Sequence, residues 1–455
     1  MESRTETRAD ESVTSTVTNW VRLTEVRATV RLASPIALAQ AASIAVPAVD
    51  ALAMGGFGPA ALAGGGLAAG VLSTVLLLAG GVLAAASPLV AGAKARGDDD
   101  AQRDLVTAAS MLALLFGALI ALVLASSSTS ILLRLGAPFE AAEAGSAYLR
   151  VASSSAVPAL VAGAMRQAHN ASGRARRVAV ASVLLLAAKA VFNVVVVFWV
   201  PRLGMAGLGA GTIVGQGIAV AILVAWLPTP RWRVPRLDVL RAILRLGAPI
   251  GVMTALEVGL FAASAIPVAR FGVGPLAAHE VALQSLYLGF VVPLAIAQAT
   301  SIRVAAGAAV KDFASVRAAA RGGIATASAA ALIWALALVV AAPSIGSAVQ
   351  GAAPLVLTIR LVRLAAIVHV FDALQAVLGF ALRGVSDTRV PAAITALAYG
   401  IIGPGVVVGL VVVGGLGPEG VWMGLVACLS ATVLGFGMRW RRVVSTRAGA
   451  AGPVA

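Results

Sequence analysis

Twelve apolar runs, each close to or beyond the ~20 residues that an α-helix needs to cross a bilayer, occupy nearly all of this chain. They lie at 30–53, 60–92, 106–126, 150–169, 177–200, 204–227, 243–269, 280–301, 321–343, 361–382, 391–414 and 419–438. The runs are continuous, not alternating, which favours helices over a transmembrane barrel. Composition agrees: of 455 residues, 60% are hydrophobic and only 12% charged, whereas about a quarter of a soluble domain is charged. Lipid offers no partner to a bare backbone group, so continuous apolar runs must close their hydrogen bonds as helices. The expected fold is an all-α polytopic membrane protein with twelve spans.

Charge sets the orientation. A net charge of +15 would suggest a nucleic-acid partner in a soluble protein. Here the bases cluster in short loops between apolar runs, as orientation signals do, and no nucleic acid is expected. Of the 34 Lys and Arg residues, only Arg134, Arg150, Arg202, Arg270, Arg360 and Arg363 lie in loops on the side opposite the termini. Both termini are therefore expected to be cytoplasmic, in the cell (inner or plasma) membrane. Met1 to Arg27 has no apolar core before a small-residue cleavage site, so the first span is expected to target the chain. The single cysteine, Cys428, excludes both a disulfide framework and a Cys-based metal site.

The chain also repeats. "VRLASPI" (30–36) returns as "LRLGAPI" (244–250), "GFGPAALA" (56–63) as "RFGVGPLA" (270–277), and "ASPLV" (86–90) as "TSIRV" (300–304). All three pairs share one separation, 214 residues, and six spans lie between the copies, so the halves form a parallel repeat. Two like bundles in one membrane make a transporter layout. The expected division is an N-terminal tail (1–29), a six-helix lobe (30–227), a linker (228–242), a second six-helix lobe (243–440) and a C-terminal tail (441–455).

Only three of the 19 acids lie deep in apolar spans: Asp50, Glu257 and Asp372. A charge at that depth costs ~2.5–3.5 kcal/mol on insertion scales, so such acids mark ion or substrate paths. Subtracting the repeat separation sets Glu257 against Ser43, and adding it sets Asp50 against Ser264, so each half carries its own acid. Pro47, one turn before Asp50, is placed to kink that helix and free a carbonyl. Lys189 lies mid-run in "LLLAAKAVFNVVVVFW" and needs a partner. Asp50 is the only deep acid in the same half, and a pair between them is expected. Asn193, one turn on from Lys189, would line the same cavity or bond another helix. Phe261 follows Glu257 by one turn and could face an organic cation or simply pack. His369, one turn before Asp372, could join a proton relay or be a packing histidine. No Walker loop, nucleophile elbow or metal-spaced His/Cys cluster occurs, so neither an enzyme nor a structural metal is expected.

Taken in order, "LASPIALAQ…VDALAMGGFGPAALAG…ASPLVAG", "NVVVVFW…LGMAGLGAG", "LRLGAPIG…LEVGLFAAS…GPLAAHEVALQ…PLAIAQATSIRV" and "FDALQAVLGFALRGVSDTRVP" resemble the multidrug and toxic compound extrusion (MATE) transporters, over about residues 30 to 440. Possession of all three acids is similar to the NorM-like branch; the DinF-like branch usually relies on its N-terminal lobe. The resemblance implies two six-helix lobes around a central cavity and efflux of cationic amphipathic compounds driven by inward H⁺ or Na⁺. It implies no cofactor beyond that ion and no partner besides small-molecule substrates and lipid, and a monomer is expected. Asp50, Glu257 and Asp372 match the family's acids of the first, seventh and tenth spans, and where Na⁺ is the coupling ion it would bind transiently at Glu257 and Asp372. Asn193 and Phe261 match its polar fifth-span and aromatic seventh-span positions. Lys189, Glu280 and Val368 depart from the family pattern, which bears on the ion. The alternative is a flippase for lipid-linked oligosaccharide or another lipid, which would want a basic cavity. The topology is testable directly: cysteines placed beside Arg176, Arg236 and Lys311 should resist an impermeant thiol reagent in intact cells. Labelling beside Arg236 would reverse the orientation.

Overall fold

Several of the breaks in the apolar runs lie at prolines, because a proline cannot donate to the carbonyl four residues before it. The computed structural model describes residues 3–227 and 235–450, and side chains within 23–227 and 235–447. Linker residues 228–234 and the tail residues 1–2 and 451–455 lie outside the described residues. The first half holds α1 (Leu23–Gly55, the apolar part of a helix that begins at Ser3), α2 (Pro59–Ala95), α3 (Asp99–Arg134) and the two-part α4 (Phe139–Ala152 and Ala156–Ala171). It ends with α5 (Ala175–Phe198) and α6 (Pro201–Ala225). The second half holds α7 (Leu237–Ala269), α8 (Val273–Ala309), α9 (Phe313–Ala348), α10 (Leu355–Gly384), α11 (Arg389–Val413) and α12 (Gly417–Arg447). Eleven of the twelve are long and apolar enough to cross a membrane, and no strand occurs among the described residues.

The exception is α4, expected at 150–169. It starts earlier, at Phe139, and a 3₁₀ turn at Ser153–Ser155 interrupts it. Pro158 cannot serve the Ser154 carbonyl, and the three serines leave the segment more polar than its neighbours. The interruption within α2 at Ala84–Ala85 likewise precedes Pro88 by four residues. In contrast, α1 stays helical through Pro35 and Pro47. Near Pro404, α11 reroutes its bonds into two π-helical turns, Ala398–Ile402 and Val408–Val413.

The repeat is written into the backbone at the register the sequence indicates. Gly58 and Gly272 both turn at positive φ, +102° and +105°, where the missing Cβ removes the steric cost. Gly97 and Lys311 are a second such pair, at +71° and +59°. The residues after them, Asp98 and Asp312, cap α3 and α9 by accepting from Ala101 N at 2.9 Å and Ser315 N at 3.0 Å.

The helices form two compact units. One is Pro35–Ala255; the other joins the chain up to Ser34 to everything from Leu256. The leading part of α1 thus belongs with the second unit and the leading part of α7 with the first. Residues 23–29, expected as tail, are part of α1. There Arg303 donates to Thr29 Oγ1 at 2.7 Å and pairs with Glu25. Within the first unit, α2 and α4 approach at Gly64 and Gly145. A Cβ on Gly64 would lie 1.7 Å from the Ala141 carbonyl oxygen. Small residues permit such contact in lipid, where helix association rests on packing. Gly64→Ala should therefore destabilise the purified protein by about 1–3 kcal/mol, the usual cost of overpacking. Gly66→Ala, on the same helix with open space around it, should leave thermal unfolding in detergent nearly unchanged.

Candidate functional site

In the first unit four helices close a polar circuit around Asp50. Lys189 Nζ on α5 lies 2.9 Å from Asp50 Oδ1, and Asn193 Nδ2, one turn further along α5, donates to the same oxygen at 3.0 Å. From α4, the Tyr148 hydroxyl donates to Asp50 Oδ2 at 2.9 Å. Lys189 also donates to Thr212 Oγ1 on α6, which sits 3.4 Å from the Tyr148 oxygen. All five side chains are buried, with Lys189 1% and Asp50 3% exposed. Each ion would cost several kcal/mol to bury alone. Together they place every charge against an opposite charge or a dipole.

The pair expected from Lys189 and Asp50 is therefore present, and Asn193 joins it. Tyr148 and Thr212 complete it without having been expected. The second half has no equivalent: the positions one repeat on from Tyr148, Lys189, Asn193 and Thr212 are Val362, Gly403, Val407 and Val426. Ser264, the counterpart of Asp50, instead belongs to a different chain of bonds. Trp422 Nε1 donates to His279 Nδ1 at 3.1 Å, and His279 Nε2 lies 3.2 Å from Ser264 Oγ. Since indole only donates, Nδ1 must accept and the proton sits on Nε2.

The second unit gathers its acids differently. Asp372 is 2% exposed and its Oδ1 has no hydrogen-bond partner among the described residues. It lies within electrostatic reach of Glu257 on α7, and Glu257 within reach of Arg383 near the end of α10. Arg383 stands over the Phe380 ring, its Cζ 4.1 Å from the centroid. One turn from Asp372 along α10, Gln375 Oε1 accepts from the Tyr399 hydroxyl at 2.7 Å, and Tyr399 sits in the first π turn of α11. His369 is fully buried with both ring nitrogens unpaired among the described residues, so it is not the satisfied packing histidine that was one expectation. Phe261 is buried and meets Tyr287 of α8 edge to face, with centroids 5.8 Å apart. A buried, half-satisfied group of this kind is costly in lipid.

Two repeated helical units, each with its own intramembrane carboxylate site, define a multi-pass carrier protein. The comparisons narrow this further. The model of the MatE family matches residues 35–195 and 249–408, and the chain belongs to that family. A probable multidrug resistance protein NorM of Deinococcus radiodurans is 33% identical over 94% of this chain and 97% of its own. One of Burkholderia mallei is 32% identical over 91% of each. The fold is that of solved MATE structures. One in the bent conformation superposes with a TM-score of 0.87 at 21% identity, covering 94% of this chain and 98% of that one. A eukaryotic MATE transporter superposes with a TM-score of 0.81 at 16% identity, covering 94% and 99%.

The Asp50 circuit yields a double-mutant test. Removing one partner of a buried ion pair leaves a bare charge and costs about 3–5 kcal/mol, while removing both does not. Lys189→Ala and Asp50→Ala should each lower expression and thermal stability, and the double variant should recover most of both but not transport. Simple addition of the two single effects would show the residues uncoupled.

Proposed function

We propose that this protein is a secondary active multidrug exporter of the cell membrane, with both termini cytoplasmic, that exchanges cationic amphipathic compounds for protons. The observation that carries the reading is the division of labour between its two carboxylate sites. Asp372 and Glu257 offer negative charge beside an aromatic pair, which suits an organic cation through charge and cation–π attraction. Asp50 is already paired with an ammonium. The relatives named NorM multidrug resistance proteins support export of drugs as the activity.

Proton coupling follows from Lys189. A Na⁺ placed about 4 Å from its ammonium would be repelled by about 4 kcal/mol at an effective dielectric of 20. The ammonium opposes a proton on Asp50 through the same field, but a proton needs no coordination shell, whereas Na⁺ would need the space that the ammonium fills 2.9 Å from the carboxylate. Protonation would release Lys189 and Asn193 from Asp50 and loosen the hold of α5 on α1 near Pro47. Substrate and ion need only favour different states of the carrier for exchange to follow. The flippase alternative is not favoured: Lys189, the deep base of the first unit, is neutralised by Asp50 and so is not free to hold a pyrophosphate.

In a pump-deficient host, Glu257→Gln and Asp372→Asn should each cut ethidium efflux about tenfold or more, a loss of ~1.4 kcal/mol of stabilisation. Both should keep near-normal membrane expression, since removing a buried charge lowers the insertion cost. Efflux should follow an imposed pH gradient and persist without Na⁺. Wild-type rates in both variants would refute the role given to these acids.

A further inference from the structure

Three helices of the second unit bring carboxylates toward one aromatic pair. Phe261 of α7 and Tyr287 of α8 meet with their rings at 76°. Glu257 is one turn before Phe261 on α7, and Glu280 is seven residues before Tyr287 on α8. That spacing is two turns, about 10 Å along the axis, so each glutamate shares a helical face with its ring. Glu257, Glu280 and Asp372 all lie within electrostatic reach of the Tyr287 hydroxyl.

Among the described residues neither Glu257 nor Glu280 makes a hydrogen bond or an ion pair, and Asp372 Oδ1 is buried without a partner. Arg383 offsets one of these charges through Glu257. Three carboxylates against one guanidinium leave two formal negative charges, at two depths: Asp372 and Glu257 beside the rings, and Glu280 two turns nearer the start of α8. Glu280 is exposed, and Tyr287 is 39% exposed, so both are open to a ligand. A bare carboxylate two turns inside a span is costly against lipid. Gln284, four residues on from Glu280, is exposed as well, so polar side chains occupy this face of α8 up to Tyr287, beyond which Leu288 and Val292 take over. A monocation on the ring pair would neutralise only the deeper end of this arrangement.

We propose that Glu280 forms a second charge subsite, so that the exporter prefers aromatic dications, with one charge at the rings and the other on a flexible arm, over matched monocations. This rests on the export of cations proposed above for the same unit. Ethidium and propidium form a suitable pair, since they share a phenanthridinium ring and propidium adds one ammonium on a propyl arm. The full chain in proteoliposomes, driven by a pH gradient, should take up propidium with a KM about tenfold below that of ethidium. Glu280→Gln should bring the two KM values within about twofold of each other, and Glu280→Asp should restore most of the gap. Ethidium uptake with no propidium preference, or a preference unchanged in Glu280→Gln, overturns the inference alone. Uptake of neither cation overturns the export reading and this inference with it.

Discussion

A charge held in hydrocarbon must meet an opposite charge or a converging set of dipoles, and the first unit is arranged around that requirement. The Asp50–Lys189 pair binds α1 to α5 at 2.9 Å, and its remaining valences draw in Tyr148 from α4 and Thr212 from α6. Four helices must therefore hold their rotations to within a hydrogen bond's tolerance. Small residues make the approach possible: a Cβ on Gly211 of α6 would lie 2.8 Å from Asn193 Oδ1. The circuit is also brittle. No member can change protonation without leaving another unsatisfied, and a buried polar network in that condition loses more than one bond. Under the proposed mechanism such a network holds one arrangement firmly until a proton arrives.

The two halves share a backbone and not a chemistry. Gly58 and Gly272 turn alike and Asp98 and Asp312 cap alike, yet the first half gives both oxygens of its carboxylate partners, leaving only Asn193 Oδ1 of the circuit unpaired, while the second leaves Asp372 Oδ1 and both His369 nitrogens unpaired among the described residues. Duplicated helices supply a common frame, because hydrogen bonding in lipid permits little variation in it. Within that frame each inward-facing position can be altered separately. Under the proposed mechanism, the closed circuit answers to the ion and the open one to substrate, so one chain holds both ligands of an exchange without a duplicate of either site.

Much of this was legible in the sequence. Long apolar runs dictate helices, and the shared separation of three motif pairs gave the repeat its register to the residue. A lysine in mid-membrane demands an acid, and only Asp50 was available in its half, so that pair could be read without coordinates. The partners of the pair could not. Tyr148 lies on α4 and Thr212 on α6, and no periodicity relates side chains on helices so far apart in sequence. Composition held an unused signal: the chain has only three tyrosines; Tyr148 bonds Asp50, and Tyr287 and Tyr399 lie within electrostatic reach of Glu257 and Asp372. A phenol in an apolar span needs a polar neighbour, much as a buried charge does.

The places where regular helix geometry fails follow the same logic. Near Tyr148, α4 breaks into a 3₁₀ turn at Ser153–Ser155, and its polarity is what removes it from the segments apolar enough to be recognised as spans. In α11 the π turn Ala398–Ile402 carries Tyr399, whose hydroxyl reaches Gln375 one turn from Asp372. A π turn adds a residue per hydrogen-bonded ring and so changes the direction of the side chains that follow it. Lipid-facing helices gain nothing from such irregularities, which weaken intrahelical bonds. Two of them lie on the helices that send a tyrosine toward their unit's acids, the 3₁₀ turn of α4 and the first π turn of α11, whereas the break in α2 at Ala84–Ala85 follows from Pro88.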